Sequence, residues 1–442
     1  DWQDDTGGDH SGDYGSRSVG IIASTHDDFY FGTYDDAGNM LTNPAAFMET
    51  DGAKKFLNFN EDGFAGIAEG GKYYTRDFDG KTAYRVIYRP NMIHPLVAFS
   101  TTCVGYAVDF FDTTLGAPKP LPASDQIWPI KAVFNSLGVI GLLIFMVSFT
   151  LVLLDTPVFS ALRSGEIVQP APVQDNGAKA WYWVLLIIGA VFSGASFLFC
   201  MNTVYSKTTN FFVQTGPLTI GTWAALCGVF AIFCSAVFYG AYGKKHGWSA
   251  RRAGLYLNLE QLWKTIALAV IVIVVSFGLV FAAHYFFQVD YRMYVVAFKT
   301  FGADKVLIAL RYLPFFLLFY VMNSISANCF NYNTIGGKNG NILIFAFFNA
   351  LGAIFVVASQ YIYFYATGYQ LYGLTEGQRI GPIWLFPCMV LLFVTPIMSR
   401  IIYKRTRNPY IAGLINAMFI VMISCSNTTT ILGGGELIAT TF

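Results

Sequence analysis

The chain has 442 residues, of which 55% are apolar, 17% aromatic and only 12% charged, a membrane-protein balance rather than that of a soluble chain of two or three domains. Its net charge of +1 hides a segregation: residues 1–130 carry 19 Asp and Glu against 9 Lys and Arg, and residues 131–442 carry 8 against 19. An acidic, water-soluble head therefore precedes a basic, apolar body, and no Rossmann fingerprint, metal-binding cluster or nucleic-acid module stands out in either.

In chain order, residues 1–17 are rich in Asp, Gly and Ser and read as an exposed loop. Ser18–Thr25 is a buried-strand run that delivers His26-Asp27-Asp28-Phe29 at its carboxyl end. The pattern predicts a short helix over Ala53–Phe59. Tyr73–Asp77 and Lys81–Ile87 are joined by Phe78-Asp79-Gly80, which reads as a hairpin with an Asp-Gly turn. The second of these runs, Thr82–Tyr88, is stopped by Pro90, and a loop then carries Ile93-His94-Pro95. From Ser100, a plausible N-cap, Phe99, Cys103, Ala107 and Phe110 recur at three- and four-residue spacing and predict an amphipathic helix.

A strand, a His-bearing loop and a closing helix, preceded by a strand that ends in an acid, resemble the C-terminal part of an α/β-hydrolase domain. That resemblance implies a mostly parallel sheet over residues 1–115 and a triad in the order Ser, Asp, His, with Asp27 (alternate acid Asp28) and His94 as its second and third members. It further implies that Asp27 fixes the imidazole tautomer while His94 acts as general base and then general acid. The nucleophile is missing: there is no Gly-x-Ser-x-Gly, and Gly8-Asp-His-Ser11-Gly12 has its serine one place late. The resemblance therefore makes Asp1 an internal starting point and predicts a partner, an upstream hydrolase segment or a second polypeptide, that completes the domain.

Gly116-Ala-Pro-Lys-Pro-Leu-Pro122 opens a stiff linker over residues 116–130, and residues 131–442 read as a multi-pass, all-α transmembrane domain. Eight segments are long and apolar enough to span, near 132–154, 181–204, 219–242, 263–288, 306–330, 341–367, 382–402 and 409–432. The loop after the third carries Lys244, Lys245, Arg251 and Arg252, and that after the seventh Arg400, Lys404, Arg405 and Arg407. Arg163, Lys179 and Lys338 add to the same side, while Lys207, Arg379, Arg292, Lys299 and Lys305 lie opposite. This bias predicts odd-numbered loops inside and the head extracytoplasmic.

Seven scattered cysteines form no Cys-x-x-Cys pair, so neither a disulfide framework nor a zinc site is indicated, and no cofactor is expected. His284 and Arg311 are ionisable residues within apolar segments and are candidates for a polar groove in the membrane, with Asn323, Asn328, Asn349, Gln360 and Asn427. Trp181–Trp183 and Tyr361–Tyr365 read as interfacial belts and packing. Thr428–Thr430 with Gly433–Gly435 lacks the lysine of a phosphate loop.

The expected function is a membrane-integrated serine hydrolase, cleaving or transferring an ester, thioester or amide through an acyl-enzyme, with a lipid or other apolar acyl substrate in the bilayer. The alternatives are a transporter or channel with a non-catalytic head, and a structural subunit of a membrane complex.

Overall fold

The computed structural model describes residues 14–35, 40–119, 121–173, 175–294, 296–431 and 437–438. The near-motif Gly8–Gly12 and the Gly433–Gly435 run lie outside the described residues. The chain divides into two compact units, one of residues 1–131 with 357–383, the other of residues 132–356 with 384–442.

The first unit is built on β1 (Val19–Ile22), β2 (Thr33–Tyr34), β3 (Met40–Thr42), β4 (Tyr74–Phe78) and β5 (Lys81–Tyr88). β4 and β5 form the hairpin that the Asp-Gly pair predicts: Asp79 and Gly80 both have positive φ, 52° and 80°, as a two-residue hairpin turn matched to strand twist requires. The Asp77 carboxylate accepts the Gly80 N–H at 2.8 Å and closes the turn. β1 pairs parallel with β5, from Val19 opposite Arg85 to Ile22 opposite Tyr88.

The expected α/β-hydrolase portion is not there. The sheet has three strands in the order β1, β5, β4, with one parallel and one antiparallel pairing, and β2 and β3 form a separate pair. A hydrolase sheet needs a run of parallel strands covered by helices on both faces. Here the flanking helices are short: α1 (Asp51–Leu57), capped by Thr50, α2 (His94–Val97), a single turn, and α3 (Thr101–Leu115), capped by Ser100. One acid, one histidine and one closing helix satisfy a local pattern that two adjacent parallel strands of any small sheet can carry.

α3 lies against β1 because Gly20 leaves room for it. A Cβ there would lie 3.0 Å from the Phe110 ring. Beneath the sheet, Ala23, Ala53, Phe56, Leu57 and Ile87 form a small core, in which each large side chain contributes about 1.5–3 kcal/mol. Arg85 is buried beside it, its guanidinium over the rings of Phe59 and Phe56 at 4.6 and 5.5 Å, and donates to the carbonyls of Gly15 and Arg17. Those acceptors keep it charged although burial pushes its pKa down to about 10.

Eight helices among the described residues are long and apolar enough to cross a membrane, and the protein is an integral, multi-pass membrane protein. They are α4 (Trp128–Leu154), α5 (Asn176–Thr203), α6 (Thr215–Phe238), α7 (Leu259–Phe287), α8 (Asp304–Ile325), α9 (Gly337–Thr367), α10 (Glu376–Thr406) and α11 (Pro409–Ser426). α6 and α8 each run on into a π-helical turn. Several begin before the apolar segment does, because a polar cap carries the first turn: Asp175 caps α5, and Asn258 with Gln261 forms a capping box on α7. α11 ends at Ser426 rather than running on to residue 432. Arg400, expected in a loop, lies within α10.

The second unit packs through glycines. A Cβ on Gly352 of α9 would come within 2.6 Å of the Ala190 carbonyl on α5, one on Gly228 of α6 within 2.8 Å of the Leu318 carbonyl on α8, and one on Gly413 of α11 within 2.8 Å of Val321 Cα on α8. Close backbone approach is how helices gain packing where lipid offers no hydrophobic drive. Gly352→Leu is expected to cost about 1–3 kcal/mol or more by overpacking. Gly278→Leu on α7, where an added Cβ meets nothing within 4 Å, is expected to stay within about 0.5 kcal/mol. Thermal unfolding of the two variants in detergent measures the difference.

Candidate functional site

The site forms where β1 and β5 end. Their pairing continues beyond the strands: the Ala23 N–H donates to the Tyr88 carbonyl at 2.9 Å, the Thr25 N–H to the Pro90 carbonyl at 3.0 Å, and His26 bridges to Ile93 in parallel. The loop carrying the acids and the loop leading into His94, the first residue of α2, therefore run side by side. Arg89, one residue past β5, ties the arrangement down by donating to the carbonyls of Ala23, Pro44 and Ala45 at 3.0, 2.7 and 2.9 Å.

Asp27 and His94 meet as a pair. Asp27 Oδ2 lies 3.0 Å from His94 Nδ1, and Asp27 Oδ1 accepts the backbone N–H groups of Phe29 and Tyr30 at 3.0 and 2.7 Å. Those two bonds fix the carboxylate, which is 2% exposed, so its second oxygen is aimed rather than free to turn. A proton on Nδ1 donated to that oxygen leaves Nε2 as the basic nitrogen. His94 has a side chain 37% exposed, with the Tyr30 ring edge-on at 5.1 Å, and Nε2 has no hydrogen-bond partner among the described residues. The Asp27 bond raises the His94 pKa against the opposing effect of burial.

Asp28 does something different. Its Oδ1 accepts the backbone N–H of His94 at 3.0 Å, so it holds the histidine's main chain and not its ring. Its Oδ2 accepts the hydroxyl of Tyr361 on α9 at 2.6 Å, and its backbone carbonyl accepts the Gln370 side-chain amide. The carboxyl is fully buried, and burial raises its pKa to about 6 despite these donors and helped by the nearby Asp27 charge. Next to it His26 stacks on Tyr365 at 4.5 Å and meets the edge of Phe364 at 5.6 Å.

Tyr361 and Gln370 are the participants that sequence reasoning missed. Tyr361 reads from the sequence as part of an interfacial belt, although the apolar segment near 341–367 exceeds the roughly twenty residues a span needs, and the surplus is the part that reaches Asp28. Ser24 Oγ is buried without a hydrogen-bond partner among the described residues, and it is not bonded to His94.

Of the candidates of the membrane groove, Asn323 donates to Asn349 at 2.5 Å, but His284 and Arg311 are not brought together with them. His284 is exposed near the end of α7, and Arg311 donates to the Phe211 carbonyl at 3.0 Å with its guanidinium over that ring. Asn328 accepts from Arg400 at 2.8 Å, and Asn427 donates to the Ala297 carbonyl. Arg400 itself is 3% exposed; it bonds Asn328, Asn341 and the Ala327 carbonyl and lies 3.9 Å over Tyr332. Among the described residues no three His, Cys, Asp or Glu side chains gather as a metal site requires.

No family model, curated protein or solved structure matches the chain. With no match, and with a three-stranded mixed sheet, the described residues do not form the α/β-hydrolase portion that the strand-end pattern suggests.

The two acids make distinct predictions for pH. Because the folded state raises Asp28 from 3.8 to about 6, it holds a proton there that the unfolded chain has lost, so stability falls as pH rises through that window and is level above it. Asp28→Asn is expected to abolish this fall, read as thermal midpoints across the window. For His94 the sign is the same: its raised pKa contributes stability that is lost as pH climbs through the folded value. Asp27→Asn is expected to lower that pKa in a ring-proton NMR titration.

Proposed function

We propose that the Asp27–His94 pair is the acid–base unit of a membrane-integrated serine hydrolase, which cleaves or transfers an ester, thioester or amide through an acyl-enzyme. The observation that carries this reading is the orientation of the imidazole: Nδ1 is tied to a buried, doubly anchored carboxylate, and Nε2, on a side chain 37% exposed, has no partner among the described residues. In that tautomer Nε2 takes the proton of an attacking hydroxyl and later gives it to the leaving group, while Asp27 stabilises the imidazolium formed in between. Such pairs recur on unrelated folds and are defined by geometry, so the reading needs no hydrolase sheet.

The nucleophile is then a serine hydroxyl presented to Nε2 by another segment or a second polypeptide. In the assembled hydrolase, His94→Ala is expected to lower turnover at least about a thousandfold with the folded yield retained, because members of such a unit act together. Asp27→Asn is expected to follow it, and Asp28→Asn to cost less, since Asp28 bonds the backbone of His94 and not its ring. A fluorophosphonate probe is expected to label a co-purifying species. Near-wild-type turnover in His94→Ala overturns the reading and favours a non-catalytic head on a transporter or a structural subunit.

The Lys/Arg bias of the loops supports an extracytoplasmic head. Protease added to intact cells is expected to cut near Pro118–Pro122 and spare Lys244–Arg252; the opposite pattern reverses the orientation.

A further inference from the structure

Within the second unit, α5, α6 and α8–α11 enclose a cavity of about 500 Å³. Its lining on α6 runs from Gly216 to Phe238, about 33 Å at the helical rise, which is the thickness of a bilayer's hydrocarbon. A cavity drawn out over that length is elongated, a shape that suits an extended chain better than a compact, folded headgroup.

Among the described residues the lining has no Asp, Glu, Lys, Arg or His. Its walls are aromatic and aliphatic, with Phe192, Trp223, Phe230, Phe319, Phe348 and Trp384 among them, and the polar groups it has are neutral. At one end Ser424, Asn427, Thr428 and Thr429 gather where α11 stops; midway stand Asn323 and Asn349, which are bonded to each other at 2.5 Å. Such a lining gives an ion or a charged solute no counter-charge, and its amides and hydroxyls suit the ester region of a lipid. α6, one wall, is the least buried of the eight spans, with 11% of its apolar window buried.

We propose that this cavity is a binding site for one acyl chain of a membrane lipid. The site rests on the cavity alone and is independent of the Asp27–His94 reading. The occupant lies along α6, its ester end toward Ser424–Thr429 and its methylenes against the aromatic walls.

The test uses the full chain in phosphatidylcholine vesicles containing a trace of phosphatidylcholine with a diazirine on its acyl chain. After irradiation, adducts are mapped by peptide mass spectrometry, and they are expected within Trp223–Phe238 of α6 and Phe316–Asn323 of α8. Gly189→Phe places a ring where an added Cβ meets nothing within 4 Å, and it is expected to cut these adducts about tenfold. Cys234→Phe fills the same space from α6 and serves if the first variant fails to fold. Gly278→Phe, equally open but outside the lining, is expected to leave the adducts unchanged. Adducts indifferent to both filling variants, or spread evenly over the outward faces of α4 and α7, overturn the site. So does rapid modification of Cys227 and Cys234 by a charged, membrane-impermeant thiosulfonate, which would make the cavity a water-filled path.

Discussion

The parallel register of β1 and β5 is the constraint on which the head depends. Val19 opposite Arg85 fixes Ile22 opposite Tyr88, and the three further pairings at Ala23, Thr25 and His26 carry that alignment into the loops. A slip of one residue would turn Ala23 and Ile87 away from their core and move Asp27 off the level of His94. The small core and the acid–base pair are thus set by the same hydrogen bonds. Gly20 belongs to this account, because an added Cβ would crowd the Phe110 ring of α3 against the strand whose register matters.

Two adjacent carboxylates at the end of one strand have opposite environments. Asp27 is anchored by backbone N–H groups and has a histidine ring for its second oxygen. Asp28 is fully buried and has a phenol and a peptide N–H as donors, and desolvation prevails over them. The consequence is a division of labour: one carboxylate orients the ring, the other holds the backbone beneath it. A pair of equal acids would instead compete for one site, each raising the other.

The parts of this structure legible in the sequence are those set by local chemistry. The Asp79-Gly80 turn, the Ser100 cap and the existence of eight spans follow from φ preference, an orphan N–H and apolar length, all of which act over a few residues. The strand-end positions of Asp27 and His94 were legible in the same way. The number of strands was not, because an acid and a histidine after two neighbouring strands say nothing of how many more strands lie beside them. Tyr361 was hidden for another reason: it is 333 positions from Asp28, and as one tyrosine in an aromatic run it has no local feature that separates a hydrogen-bond donor from a belt residue.

The uncharged lining of the membrane cavity has an electrical consequence. A unit charge moved across a bilayer does work of about 2.3 kcal/mol for every 100 mV, but neither the described residues of the cavity wall nor a neutral chain within it carries charge for the field to act on. Loading and unloading would therefore be indifferent to the membrane potential, and the only forces left to move an occupant are its own concentration and its partition between the cavity and the surrounding hydrocarbon.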